Sequence, residues 1–103
     1  MITYNKLVRD RIPDIIKQNG EQCVVRVLDD DEYLAMLNVK LGEELKEYLE
    51  SGDVEELADL AEVMWAVVEA QGLSKEQFDE IRLTKREKRG GFKDRLLLVQ
   101  IGE

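Results

Sequence analysis

The chain contains no histidine and a single cysteine, Cys23. Without histidine it lacks the Glu-x-x-His ligands that helical bundles use for di-iron centres. A lone thiol forms neither an internal disulfide nor a multi-thiolate metal site, which agrees with a reducing compartment. Any metal ligands in this chain are therefore oxygen atoms, and such sites favour Mg²⁺ or Mn²⁺ over zinc or iron.

Long apolar runs and a positive charge balance are also missing. No run approaches the ~18 residues of a membrane span, and the opening MITYNKLVRD lacks the apolar stretch of a signal peptide. We therefore expect a cytoplasmic protein with no membrane partner. The formal net charge of −8 argues against general nucleic-acid binding, which needs a basic surface.

Four helices and two short strands are expected from the apolar spacing and from the residues that begin and end helices. The first helix has about ten residues and is capped by Asp10, and the second covers residues 31–49. The third follows a capping box at 53–56 and ends before Gly72, and the fourth follows a capping box at 74–77 and ends near Lys88. Residues 22–28 and the closing RLLLVQI are expected to pair as strands. We predict one domain over residues 1–103, mainly all-α, built as an antiparallel bundle of about four helices with a small two-stranded β appendage.

The two middle helices carry different apolar patterns. The first has a stripe at spacings of three and four, formed by Leu34, Leu37, Leu41, Leu45 and Tyr48. The second is apolar on nearly every side, as in a helix at the centre of a bundle. One hairpin cannot cover that much apolar surface, so we predict a homodimer or homotetramer.

The same two helices concentrate negative charge. Between residues 43 and 62 a single cation, Lys46, accompanies nine carboxylates, namely Glu43, Glu44, Glu47, Glu50, Asp53, Glu55, Glu56, Asp59 and Glu62. Like charges three or four residues apart destabilise a helix. A solvated helix face is the ordinary explanation, and it suffices for Glu43, Glu50, Glu55, Glu62 and Glu69.

Two of the acidic pairs have the spacing of a metal site. Glu44 and Glu47 lie about 60° apart at about 100° per residue, and Glu56 and Asp59 have the same relation on the next helix. The short break at residues 51–52 predicts an antiparallel hairpin. Four carboxylates can then converge on a hard cation such as Mg²⁺.

Two alternatives stay open at this stage. Glu43 can replace Glu44 as the first ligand, and Glu56 can serve only as the return arm of its capping box. Asp59 favours the metal site, because an unpaired charge is costly among so many apolar neighbours.

The segments KLGEELKE and EELADLAEVMWAV resemble the E-x-x-E and E-x-x-D pairs of the all-α nucleoside triphosphate pyrophosphohydrolases, the MazG-like superfamily. The opening YNKLVRDRIPDII and the KREKRGGF block resemble a branch of small proteins related to phosphoribosyl-ATP pyrophosphohydrolase, so the resemblance spans nearly the whole chain. It implies a helical oligomer that uses Mg²⁺ to cleave a nucleotide between its α- and β-phosphates. The products are pyrophosphate and a monophosphate.

The resemblance also implies roles for individual residues. Glu44 and Glu47 match the first pair, Glu56 and Asp59 match the second, and Glu47 is our candidate for the general base. Basic side chains are expected to hold the distal phosphates. The first candidates are Lys85 and Arg89, one turn apart on the last helix, and the second are Lys6, Arg9 and Arg11.

Clearance of non-standard nucleotides by such an enzyme is the function we favour. Three other functions are alternatives to it. One is the phosphoribosyl-ATP reaction of histidine biosynthesis. Another is a non-catalytic oligomerisation module that uses LADLAEVMWAVVEAQ as its interface and has no need of Glu56 or Asp59. RNA binding through RLTKREKRGGFKDR is disfavoured by the net charge.

Overall fold

The computed structural model describes residues 2–102, and in that range it contains four helices and no strand. They are α1 (Ile12–Gln18), α2 (Asp30–Ser51), α3 (Val54–Ala70) and α4 (Lys75–Arg89). The predicted all-α class is confirmed. None of these four helices combines the length and the apolar character needed to cross a membrane.

The predicted β appendage is wrong. Residues 22–28 and 95–101 are irregular and do not pair. A two-stranded ribbon is marginal in water unless one of its faces packs against something. Here most apolar side chains of the two segments face solvent, with Val24 85% exposed and Leu96 88% exposed, while Leu28 is half-buried.

Short-range signals place most helix ends. Asp29 caps α2, because its side chain accepts a hydrogen bond from the Glu32 N–H at 2.9 Å. Gly52 ends that helix at a φ of 71°, a left-handed conformation that favours glycine. The predicted capping box of α4 is confirmed, since Ser74 and Gln77 exchange both hydrogen bonds.

Two predicted caps are wrong. Arg11, rather than Asp10, precedes α1, where a proline in the first turn stabilises the start of the helix. Asp53 precedes α3, but its side chain accepts no cap hydrogen bond, and its N–H donates to Ser51 Oγ at 3.1 Å. Glu56 is therefore not the return arm of a capping box, and its carboxylate is available for another role.

Helices α2 and α3 form the predicted antiparallel hairpin, joined by two residues. The buried line of α2 differs from the expected stripe at one position. Leu45 is 46% exposed, and Glu44 lies in its place between Leu41 and Tyr48. The reason is geometric: Glu44 is seven residues from Leu37, so both fall on nearly the same face at about 100° per residue.

Helix α4 leaves the hairpin soon after it begins. It meets α3 through an edge-to-face contact between Phe78 and Trp65, whose ring centroids are 5.5 Å apart. Residues 80–89 are all exposed. The radius of gyration is 18.4 Å, whereas a compact chain of this length has about 13 Å.

The single chain leaves much of its apolar surface uncovered. Within residues 2–102, the buried hydrophobic residues are Leu37 and Val68. The sequence predicts that α3 lies at the centre of a bundle, and in the single chain it does not. The accessible surface is 9569 Å². A compact monomer of this mass exposes about 5,950 Å², so the excess is roughly 3,600 Å².

Candidate metal centre

Three of the predicted metal ligands meet across the hairpin. Carboxylate oxygens of Glu44 from α2 and of Glu56 and Asp59 from α3 lie within 4.8 Å of one another. Glu56 and Asp59 are about one helical turn apart, so both lie on the face of α3 that meets α2. Together with the neighbouring Glu47, we call these residues the acidic cluster.

Glu44 is the buried member of the acidic cluster. Only 7% of the residue is exposed, and its Oε2 atom has no hydrogen-bond partner in the described part of the chain. Burial raises the pKa of Glu44, and the negative charges of Glu47 and Asp59 raise it further, while Lys40 opposes them. A buried carboxylate oxygen without a partner is costly, and a cation beside it would remove that cost.

Glu47 belongs to the acidic cluster through its charge. It is exposed and raises the pKa of both Glu44 and Glu56. Partial burial is the largest cause of the raised pKa of Glu56, followed by Glu47 and Asp59. Negative charge therefore accumulates here from both helices.

Glu43, the alternative first ligand, lies beside the acidic cluster but outside it. Its Oε2 atom is 3.9 Å from Lys40 Nζ, and the same nitrogen is 3.6 Å from Glu44 Oε1. The geometry therefore favours Glu44 as the residue that meets the second helix. Sequence reasoning missed Lys40, although its position four residues before Glu44 is a recognisable spacing for an ion pair.

Asp59 is less buried than expected and has a cationic partner. Its side chain is 43% exposed, and its Oδ1 atom accepts a hydrogen bond from Arg9 at 2.7 Å. Arg9 had been expected to bind phosphate. The two residues lie 50 positions apart in the sequence, a distance at which no local pattern indicates a pair.

An open cleft of about 270 Å³ surrounds this contact. One wall is apolar and belongs to the start of the chain, and the other carries the charges of the hairpin. The lining residues are Val8, Arg9, Ile12, Lys40, Glu44, Glu47 and Asp59. Acidic and basic groups therefore share one small volume.

The other expected phosphate ligands lie elsewhere. Lys85 and Arg89 are on the exposed part of α4 and do not line the cleft. Lys6 is exposed in the segment before α1. Within one chain, the structure brings Arg9 to the acidic cluster and leaves these three residues apart from it.

No protein-family model and no solved structure matches the chain. An uncharacterised protein of Mycolicibacterium smegmatis is 49% identical over 53 residues, which cover 52% of this chain and 53% of that protein. The chain thus spans about half the length of the curated relative it matches. This match carries no activity.

Proposed function

We propose that the protein is a Mg²⁺-dependent nucleoside triphosphate pyrophosphohydrolase that cuts between the α- and β-phosphates. The observation that supports this most is the convergence of Glu44, Glu56 and Asp59 within 4.8 Å, with one buried carboxylate oxygen lacking a partner. The resemblance of the two acidic pairs and both flanks to MazG-like enzymes supplies the reaction. House-cleaning of non-standard nucleotides is the role we favour, and a cytoplasmic location belongs to the same proposal.

The donor set fits Mg²⁺ or Mn²⁺. All the groups at the acidic cluster are carboxylates, and hard divalent cations take oxygen ligands. Glu44, Glu56 and Asp59 would hold the ion, and Glu47 would complete the set or stand beside it. A bound divalent cation neutralises phosphate charge and lowers the pKa of a water molecule.

Other residues of the cleft would have separate roles in the reaction. Glu47 is the exposed member of the acidic cluster and lines the cleft, so its carboxylate can reach a water molecule there and take its proton. Lys40 lines the same cleft and adds a positive charge toward a bound phosphate. Val8 and Ile12 form the apolar wall of this open cleft.

A homodimer or homotetramer is part of this proposal. The excess surface of about 3,600 Å² per chain exceeds the roughly 1,000–2,500 Å² that each partner of an obligate dimer commonly buries, so it is ample for such an interface. The exposed apolar residues occur on α3 and α4 as well as in the irregular segments, with Leu57 40% exposed and Ile81 47% exposed. A second copy that covers these helices would also build the bundle that one chain does not complete.

The same assembly would bring the basic end of α4 to the acidic cluster. Lys85 and Arg89 are exposed on a helix that points away from its own hairpin. Opposite charge favours contact between this end and the acidic hairpin of another copy. The distal phosphates of the substrate would then be held by Lys85 and Arg89 of a second copy.

A panel of nucleoside triphosphates and phosphoribosyl-ATP, assayed with Mg²⁺ for pyrophosphate and orthophosphate separately, tests the proposal. We expect pyrophosphate release that is lost in Glu56→Gln and kept in Glu55→Gln, a neighbouring exposed residue outside the cluster. Orthophosphate release would place the cut at the β–γ bond and contradict the proposal. A preference for phosphoribosyl-ATP would replace house-cleaning with the histidine-biosynthesis reaction.

A non-catalytic oligomerisation module is the second candidate, and the large exposed apolar surface favours it. It predicts assembly without nucleotide turnover. If Glu56→Gln and Asp59→Asn leave the oligomer intact and no substrate in the panel is cleaved by the wild type, this second candidate is the better description.

A further inference from the structure

The segment that precedes α1, residues 2–11, which we call the N-terminal arm, is held against the hairpin by one polar contact. Arg9 Nη2 donates to Asp59 Oδ1 at 2.7 Å. Among residues 2–102, no other side-chain hydrogen bond joins the arm to α2 or α3. The apolar side chains of the arm include Leu7, which is half-buried, and Val8, which is exposed and lines the cleft.

We propose that Arg9 is the counter-cation of the metal-free acidic cluster and leaves Asp59 when a divalent cation binds, which frees the N-terminal arm. The inference rests on the metal site of the proposed function and assigns its regulation. It follows from the position of Arg9, because the guanidinium and a metal ion would compete for the same carboxylate.

Charge and exposure determine the direction of this exchange. The Arg9 and Asp59 side chains are 57% and 43% exposed, so water screens their attraction. A divalent cation carries twice the charge and approaches oxygen to about 2.0–2.1 Å in the case of Mg²⁺. It also gains the buried oxygen of Glu44, which Arg9 leaves without a partner.

The freed guanidinium has a use in the same cleft. Once Asp59 is neutralised by a metal ion, the strongest remaining attraction for Arg9 is the phosphate chain of a bound nucleotide, which it can grip with two parallel hydrogen bonds. Arg9 thus changes partner from a carboxylate to a phosphate. Metal binding would precede tight binding of the nucleotide.

Nuclear magnetic resonance of the whole protein tests the exchange directly, with Mg²⁺ alone as the probe. Amide chemical shifts at Glu44, Glu56 and Asp59 report metal binding. The ¹⁵N heteronuclear Overhauser effect of residues 3–10 reports the mobility of the arm. We expect Mg²⁺ to shift the cluster amides and at the same time to make the arm more mobile, which is opposite to the usual effect of a ligand.

Two matched variants separate the direct contact from the loss of one charge. Arg9→Gln should have a mobile arm with or without Mg²⁺, whereas Arg11→Gln should behave as the wild type does. Calorimetry should show Mg²⁺ binding to Arg9→Gln about two- to fivefold more tightly than to Arg11→Gln, because the competing surface ion pair is absent.

The outcomes distinguish this inference from the function on which it rests. If Mg²⁺ shifts the cluster amides but the arm keeps its order, the exchange is refuted and the metal site stands. Equal Mg²⁺ affinities for the two variants would have the same meaning. If the cluster amides do not respond to millimolar Mg²⁺, both the metal site and the exchange are refuted.

Discussion

Replacement of Glu44 by glutamine should change the stability of the protein in opposite directions with and without metal. The side chain keeps its shape and loses its charge. In the metal-free protein the substitution removes a charge whose burial, together with repulsion from Glu47 and Asp59, raises the pKa of Glu44. The new amide can also donate to the carboxylate of Glu47, whereas the present Oε2 atom has no partner.

The magnitude follows from that buried oxygen. A buried polar atom without a partner costs about 1–3 kcal/mol, and the lost pair with Lys40, at 3.6 Å, offsets part of the gain. We expect Glu44→Gln to raise the free energy of unfolding in EDTA by about 1 kcal/mol, or roughly 4–8 °C in Tm. Mg²⁺ at a hundred times its Kd stabilises the wild type by about 2.7 kcal/mol, and the variant should lose most of this.

The assay is thermal unfolding of both proteins at one protein concentration, in EDTA and in millimolar Mg²⁺. The variant should melt above the wild type in EDTA and below it in Mg²⁺. Glu50→Gln, an exposed change on the same helix, should shift neither curve by more than about 0.5 kcal/mol. A Glu44→Gln protein that melts below the wild type in EDTA and keeps the full Mg²⁺ shift would refute the metal site.

Three further predictions concern the same residues. Asp59→Asn should hardly change the free energy of unfolding in EDTA, because the exposed pair with Arg9 is worth only about 0.2–1 kcal/mol. The same change should abolish the rise in Tm that Mg²⁺ causes. A loss of several kcal/mol without metal would make Asp59 a structural residue. The raised pKa of Glu44 means that the folded chain binds more protons than the unfolded chain. The metal-free protein should therefore gain stability as the pH falls from neutral toward the ordinary glutamate pKa, and its Mg²⁺ affinity should fall over the same interval. A stability that declines over that interval would contradict this prediction. Mixed oligomers of two inactive variants, Glu56→Gln and Arg89→Ala, should recover activity if a second copy completes the site, and a stable monomer in sedimentation would contradict both the dimer and this result.

The sequence was a good guide to most local interactions, although the caps predicted at Asp10 and Asp53 do not form. Helix ends at Gly52 and Ser74, and the turn that folds α2 against α3, depend on neighbours a few residues away. The acidic cluster follows from these elements, because a hairpin with a two-residue connection brings the ends of both helices together. The spacing of Glu56 and Asp59 then places their oxygens near Glu44.

The other failures share a cause, since each depends on contacts between distant parts of the chain that sequence periodicity does not encode. The strand predictions for 22–28 and for the C-terminal segment used β propensity alone, and no packed face supports either segment. The predicted apolar stripe placed Leu45 on the buried face of α2 because leucine is apolar. In the structure, the rotation of α2 against α3 places Glu44 on that face instead. The pair of Arg9 with Asp59 joins distant segments and has no local pattern.

The position of Glu44 connects the fold to the proposed chemistry. A leucine there would continue the buried line of α2 from Leu37 and Leu41 to Tyr48, and it would bury apolar area instead of a charge. Apart from the pair of Glu44 with Lys40, the hairpin alone gains little from a glutamate whose pKa is raised by burial and whose Oε2 atom has no partner among residues 2–102. Under the proposed function, a cation held by Glu44, Glu56 and Asp59 would change that balance, because the same buried oxygen would then stabilise the folded state. The proposed cation would thus account for the carboxylates of the acidic cluster, and Arg9 would take its place when metal is absent.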